Sequence, residues 1–182
     1  MHVSQPGEGR PVDDLVDGRR VAEVYLEAVK SRFRYMKDIA ERALAQVDDD
    51  ALAWSPGGES NSITVIIKHL SGNMLSRWTD FLTSDGEKPG RDRDAEFVEE
   101  RLPRQELMER WERGWQALFA ALDALGPDDL LRTVSIRGEP HTVIDAIERQ
   151  MVHYAYHVGQ IVYLAKARAG ERWQSLTIPR RR

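Results

Sequence analysis

The chain has 182 residues, which is enough to bury one hydrophobic core without disulfide bonds. It contains no cysteine, so a thiolate metal site, a disulfide framework and a cysteine nucleophile are all excluded. Its 26 basic and 30 acidic residues are interspersed and give a net charge of -4, which argues against a nucleic-acid partner. Because no apolar run has the length of a signal peptide or a membrane span, we expect a cytoplasmic protein with no membrane partner.

The first part of the chain divides into a tail, a long helix and a loop. Residues 1–18 are polar and are predicted to form a disordered tail, followed by a single domain over residues 19–182. Apolar residues at helical spacing predict the first helix over about residues 19–46. Pro56 and the glycine pair after it predict a loop, and we expect Trp54 in this loop to pack back onto the helices.

The middle of the chain predicts two further helices with a polar connection. Ser62 is a suitable N-cap for a second helix that runs to about Leu82. Residues 84–94 are rich in charge and in glycine and proline, so they are predicted to form a solvated loop. Pro103 fits the first turn of a third helix, which Gly126 and the proline after it end.

The last third of the chain predicts a hairpin and a fourth long helix. Residues 131–141 alternate apolar and polar side chains around Gly138, a pattern typical of a short β-hairpin. Thr142 and Asp145 resemble a capping box that opens the last helix, and Gly170 ends it. Four long helices and one hairpin give an all-α fold, a four-helix bundle with a small β-hairpin before the last helix.

The last helix carries an uncharged stretch with two histidines. Residues 150–165 contain no Asp, Glu, Lys or Arg, so we expect this helix to be buried nearly all round. Its predicted packing stripe is formed by Ile144, Ile147, Met151, Ala155, Val158, Val162 and Ala165. His153 and His157 stand outside that stripe and, four residues apart, project from one face, where two imidazoles can share one ion. Gln160 lies on the same face.

Two interpretations of this histidine pair remain open on spacing alone. Both rings are ordinary core histidines if backbone carbonyls or the hydroxyls of Tyr154, Tyr156 and Tyr163 pair with them. Two buried imidazoles on one face are costly, however, because each needs partners for both ring nitrogens. A bound metal ion removes that cost.

A third metal ligand has to come from another helix. His69 in the second helix is the natural candidate, with Asn73 one turn later placed to orient a ligand or substrate. A solvated histidine is the alternative, because His69 stands beside the apolar stripe of its helix. His141 is interpreted as a hairpin residue, and His2 lies in the tail. Three imidazoles suit Zn²⁺ or Ni²⁺ and leave a coordination position for an outside ligand.

Three segments together resemble the DinB-like superfamily of metal-binding four-helix bundles, and within it a bacterial family of unassigned function. They are SNSITVIIKHLSGNMLSRW at 60–78, TVSIRGEPHTVIDAIERQMVHYAYHVGQIVYLAK at 133–166 and WQSLTIPR at 173–180. The resemblance covers about residues 22–180. It implies a bundle of the DinB-like type, a homodimer, and a divalent transition metal, zinc or nickel, held by His69, His153 and His157.

The resemblance leaves the reaction open, because one fold hosts many chemistries. Superfamily members include enzymes that transfer groups to or from low-molecular-weight thiols, which favours a thiol-dependent S-transferase acting on a small molecule. Asn73, Arg77 and Gln160 are then the candidate cofactor-binding residues, and Arg77 or Arg149 would hold the thiol's carboxylate if neither is simply a surface arginine.

Two alternatives remain. A metal-dependent hydrolase needs a general base, for which Asp80 or Asp145 would serve, although each is better interpreted as a surface or capping residue. The other alternative is a non-catalytic, stress-related metal-binding protein, whose bundle the ion would stabilise.

Overall fold

Four long helices make up most of the protein. The computed structural model describes residues 18–178, and the long helices are α1 (Gly18–Leu44), α3 (Ile63–Trp78), α5 (Arg104–Ala124) and α6 (Val143–Ala169). Single-turn helices lie in the connections, α2 at Asp49–Leu52 and α4 at Arg93–Glu96. Gly18 already begins α1, and the rest of the predicted tail lies outside the described residues.

A small antiparallel hairpin precedes the last helix, as predicted. It consists of β1 (Thr133–Ile136) and β2 (Glu139–Thr142), with Ile136 opposite Glu139. The two residues between the strands, Arg137 and Gly138, have φ angles of 57° and 76°, the left-handed geometry of a tight type I′ turn. The prediction of an all-α fold with one hairpin is therefore confirmed.

Helix α3 is the central element of the bundle. It packs on α5 and α6, while α1 packs on α6 and α5 and so closes the ring of helices. Every residue of α3 except Gly72 and Leu75 is buried. The approach to α5 is close, because a Cβ atom on Gly114 would lie 3.0 Å from the Cα atom of Ser71. The polar side chains of α3 must therefore find their partners inside the protein.

Two of the predicted helix starts are confirmed by their side-chain caps. The Ser62 hydroxyl accepts a hydrogen bond from the Val65 backbone at 3.2 Å, and the Thr142 hydroxyl accepts one from Asp145 at 3.2 Å. Trp54 packs against the core, also as predicted.

The predicted end of the second helix is wrong by about four residues. Helix α3 stops at Trp78, because Thr79 is extended and Asp80 has a φ of 49°. Phe81 lies outside the helix and still packs on the Trp78 ring, with centroids 4.8 Å apart.

The prediction that the last helix is buried nearly all round is also wrong. Val152, Tyr156 and Tyr163 are 67%, 51% and 69% exposed, and Ala155 is exposed as well. The apolar residues that α6 does bury are Val143, Ala146, Ile147, Tyr154, Val158, Ile161, Leu164, Ala165 and Ala169. Lack of charge does not say which side of a helix faces the core, and one side of α6 is exposed.

The segment at 84–94, predicted as a solvated loop, is instead fixed against the hairpin and α3. The carboxylate of Asp85 accepts hydrogen bonds from the Ser135 hydroxyl at 2.5 Å and from the backbone N–H groups of Glu87, Arg137 and Gly138 at 2.7–2.9 Å. These bonds, led by the one from Ser135, hold the pKa of Asp85 far below its usual range.

Within residues 18–178, no helix combines the length and apolar content needed to cross a bilayer.

The Asp85 contacts predict a pH-dependent loss of stability in Asp85→Asn. An amide oxygen accepts more weakly than a carboxylate, so urea denaturation at pH 7 should show a loss of about 1–2 kcal/mol. Because the folded-state pKa is depressed, the carboxylate's contribution is present above its unfolded value, about 3.9, and is lost as the pH falls below it. The difference between variant and unmodified protein should therefore shrink below about pH 4.

The matched control is Asp38→Asn, which loses only a half-exposed ion pair with Arg42 on α1. It should change stability by less than about 0.5 kcal/mol. Equal effects of the two substitutions at pH 7 would contradict this account of the loop.

Candidate metal centre

Three histidines from two helices meet at one point. His69 comes from α3, and His153 and His157 come from successive turns of α6. One ring nitrogen from each lies within 4.8 Å of the others, and the Nε2 atoms of His69 and His153 are 3.1 Å apart. The three residues that the sequence predicted as ligands are therefore brought together.

The interpretation of these residues as ordinary core or surface histidines is not supported by their surroundings. His69 is only 5% exposed, so it is not a solvated histidine. The hydroxyl of Tyr154 donates to Asn73 Oδ1 at 2.9 Å and accepts from Trp78 Nε1 at 3.0 Å. Within residues 18–178, no tyrosine hydroxyl pairs with any of the three histidines.

Hydrogen bonds on the far side of two rings fix their orientation. His69 Nδ1 lies 2.9 Å from Glu96 Oε2, and His157 Nδ1 lies 2.8 Å from the Gln160 side-chain oxygen. A carboxylate and an amide oxygen only accept, so Nδ1 of each ring carries a proton and donates it. The Nε2 lone pairs of His69 and His157 are then free to bind an ion.

Two of the imidazoles are held neutral at physiological pH. Burial, with smaller contributions from His157 and His69, lowers the pKa of His153 to about 3. Burial also lowers the pKa of His157 to about 4, against the opposing hydrogen bond with Gln160. Neutral rings are the form that ligates a cation, so no proton has to be displaced from either ring near pH 7.

Glu96 is the functional residue that sequence reasoning missed. It lies in α4, and Arg91 contacts both of its carboxylate oxygens at 2.7 Å, with both side chains less than 10% exposed. Burial raises the pKa of Glu96, but the hydrogen bonds from His69 and Arg91 outweigh this, and the pKa stays below its usual value. Glu96 is therefore an ionised carboxylate that orients His69.

Gly72 was the one signal in the sequence that pointed to such a partner. It lies three residues after His69 and so shares its face of α3. A Cβ atom at Gly72 would overlap the carboxylate of Glu96. A glycine inside a helix lowers the stability of the helix, so its presence usually reflects close packing against a neighbour. Here the missing side chain leaves room for the carboxylate beside His69.

A cavity of about 380 Å³ opens beside the histidines, and several predicted residues line it. Asn73, Arg77 and Arg149 line it together with the three histidines. Asn73 is engaged by Tyr154, and Arg77, only 4% exposed, donates to the backbone of Gly86 and to Glu87, so it is not a surface arginine.

The other candidate residues lie elsewhere. Gln160 does not line the cavity but holds His157 from behind. His141 in β2 pairs with Asp145 at 2.5 Å, which occupies that carboxylate, and Asp80 does not line the cavity. His2 lies outside the described residues.

Comparison with known proteins identifies the family but no activity. Residues 20–182 match the family described as protein of unknown function (DUF1572). The chain belongs to this family. No curated protein matches the sequence. For this DUF1572 protein, the chemistry of the site therefore has to be argued from its own geometry.

The contact between Gly72 and Glu96 predicts opposite effects for two glycine substitutions in helices of this DUF1572 protein. Gly72→Ala should destabilise the fold by about 1–3 kcal/mol, because overpacking forces the buried carboxylate away from His69. Gly159→Ala in α6 is the matched control, compared at a protein concentration at which the chain is monomeric, since within one chain its Cβ would meet nothing within 4 Å. It should stabilise the fold by up to about 1 kcal/mol through helix propensity.

Chemical denaturation measures both effects on stability. NMR of the His69 Nδ1 proton reports whether its hydrogen bond to the Glu96 carboxylate is lost in Gly72→Ala. If Gly72→Ala stabilised the protein as Gly159→Ala does, Glu96 would not lie against α3 as described.

Proposed function

We propose that the protein binds a divalent transition metal, zinc or nickel, through His69, His153 and His157, and that it is a metal-dependent enzyme acting on a small molecule. The observation that carries the proposal is the convergence of three ring nitrogens within 4.8 Å beside an open cavity. Imidazole nitrogen suits Zn²⁺ and Ni²⁺.

The geometry of the donor set fits such an ion. Two nitrogens that each lie 2.0–2.1 Å from a tetrahedral ion are roughly 3.3 Å apart. The 3.1 Å between the Nε2 atoms of His69 and His153 is close to that value. Metal-binding histidines usually donate their second ring nitrogen to a carboxylate or carbonyl, which is the role Glu96 and Gln160 have here.

The open side of the histidine cluster supports a catalytic over a purely structural site. Catalytic zinc sites have three protein ligands and a free position, whereas structural sites are closed by four. A cation held there supplies Lewis acidity, which lowers the pKa of a small thiol or of water. The resemblance to DinB-like metal-binding bundles supports the same assignment.

A thiol-dependent S-transferase is the reaction class that the cavity favours. No carboxylate lines the cavity in the described part of the chain, and Glu96 is already paired with Arg91 and His69. A hydrolase that activates water needs a general base, which this lining does not offer. A thiol bound to a cation there would lose its proton to solvent through the open cavity, and the chain has no cysteine of its own to act as the nucleophile.

We further propose that the protein forms a homodimer through the outer side of α6. Val152, Ala155, Tyr156, Gly159 and Tyr163 follow helical spacing and are all exposed. A contiguous exposed apolar stripe on a helix is typical of a protein–protein interface. In a monomer this uncharged stripe would face water. Tyr156 also lines the cavity, so the interface would adjoin the histidine site.

Metal content tests the ligand assignment directly. Untagged protein should contain about one ion per chain, and His153→Ala should contain almost none, because two imidazoles hold the ion far more weakly than three. Elemental analysis after dialysis makes the measurement. His141→Ala is the matched control, since His141 is the described histidine that lies outside the cluster, and it should keep its metal. Equal metal in both variants would remove the assignment.

The reaction class is tested with the cobalt-substituted protein. A small thiol such as cysteine or glutathione, added alone, should shift the visible spectrum and add a thiolate charge-transfer band, since the thiol enters the free position. Chelator-sensitive ester or amide hydrolysis without any thiol response would favour the hydrolase. Loss of thermal stability on chelation, with neither response, would instead point to a structural role.

A further inference from the structure

The cavity beside the histidines is strongly cationic. Five guanidinium groups line it, from Arg77, Arg91, Arg93, Arg137 and Arg149, and no carboxylate does in the described part of the chain. The protein as a whole carries a net charge of -4. This concentration of positive charge is therefore local, and composition does not account for it.

Nearby carboxylates neutralise only part of this charge. Glu87 is shared by Arg77 at 3.1 Å, Arg137 at 2.9 Å and Arg91 at 3.3 Å. Glu96 adds a second carboxylate, which is paired with Arg91. Three guanidinium groups thus share two carboxylates.

Arg93 and Arg149 carry the remaining charge. Neither has an acidic partner among residues 18–178, and both are exposed at the cavity. The Arg93 guanidinium lies over the Phe97 ring, 5.0 Å from its centroid, so its position at the rim is restrained. An arginine held in place without a counter-charge is a ready donor for an anionic group.

The inner wall of the same cavity carries unpaired polar atoms. Arg77 Nε and the side-chain oxygen of Gln150 are buried without a hydrogen-bond partner in the described chain, and both residues are 4% exposed. A buried polar atom left unpaired costs about 1–3 kcal/mol. A polar ligand that reaches this wall would remove the cost at both atoms.

We propose that this cavity is a receptor for a small anionic molecule, one that carries a carboxylate or a phosphate, and that Arg93 and Arg149 bind the anionic group. The inference names the substrate class of the site proposed above and rests on that proposed function, although anion binding itself requires only the arginines. A volume of about 380 Å³ admits a metabolite and not a macromolecule. The uncharged part of the ligand would face Gln150 and the histidines.

The test is an NMR titration of ¹⁵N-labelled protein, which detects weak binding. Succinate, inorganic phosphate and the neutral succinamide are titrated into chelator-treated and into metal-loaded protein at low ionic strength. Succinate or phosphate should shift the Arg93 and Arg149 side-chain signals, and succinamide should not. The tighter of the two anions identifies the group as carboxylate or phosphate. Binding should weaken as salt is added, since the rim arginines are exposed.

Charge-matched variants isolate the two arginines. Arg93→Gln and Arg149→Gln should each weaken anion binding about tenfold, because each removes one charged donor. The controls are Arg34→Gln and Arg32→Gln on α1, two exposed arginines that do not line the cavity. Arg34 lies over the Phe119 ring at 5.7 Å, as Arg93 lies over Phe97. The controls change net charge equally and should leave the affinity unchanged.

Three results would overturn the inference: no anion binding in either form of the protein, equal binding of succinamide, or undiminished binding by the Arg93→Gln/Arg149→Gln double variant. Metal content separates this inference from the proposed function. Protein that takes up no metal but binds succinate through these arginines would disprove the metal function and support the receptor. Protein that takes up metal but binds anions independently of both arginines would support the metal function and disprove the receptor.

Discussion

Helix α3 is buried along nearly its whole length, and yet it carries many polar side chains. Water cannot pair with these groups, so their partners must come from the chain itself. Lys68 donates to the Val98 carbonyl and to Glu100, Ser76 donates to the Gly86 carbonyl, and Arg77 reaches Gly86 and Glu87. The segment between α3 and α5 is ordered by these bonds, although it has little regular structure.

The same constraint creates the histidine site. His69 lies on the enclosed helix, and its Nδ1 takes a partner from that connecting segment, the Glu96 carboxylate. Arg91 then neutralises the buried carboxylate, since a lone charge there would be costly. The ring is left with its Nε2 directed at the α6 pair. The contact that pairs His69 Nδ1 therefore also fixes the orientation of the His69 ring. Gly72 provides the space for the Glu96 carboxylate that makes this contact.

Local sequence signals predicted the parts of this structure that depend on local physics. The hydroxyl caps at Ser62 and Thr142 and the hairpin turn at Gly138 all act over a few residues, and the structure has them where the sequence indicated. The spacing of His153 and His157 is local in the same sense. Convergence with His69 was expected mainly from a family resemblance, because the wheel position of His69 alone did not decide it.

The features that sequence reasoning missed depend on contacts between distant segments. The segment at 84–94 has the composition of a solvated loop, and only its contacts within the fold, those of Asp85 with the hairpin and of Arg91 with Glu96, make it structural. Glu96 is one acidic residue among several in its stretch, and nothing within that stretch singles it out. The uncharged stretch of α6 does not indicate which side of the helix is exposed. That depends on α3 and α1, which cover the opposite side.

The site combines three imidazole rings with a cationic rim. His153 and His157 contribute no charge near pH 7, while the arginines around them are only partly compensated. The central claim is that the three histidines hold a metal with a position left free. X-ray absorption at the metal edge of loaded, untagged protein tests it most directly. We expect about three imidazole nitrogens at 2.0–2.1 Å with one further light ligand. A shell of oxygen atoms alone, without imidazole scattering, would contradict the account.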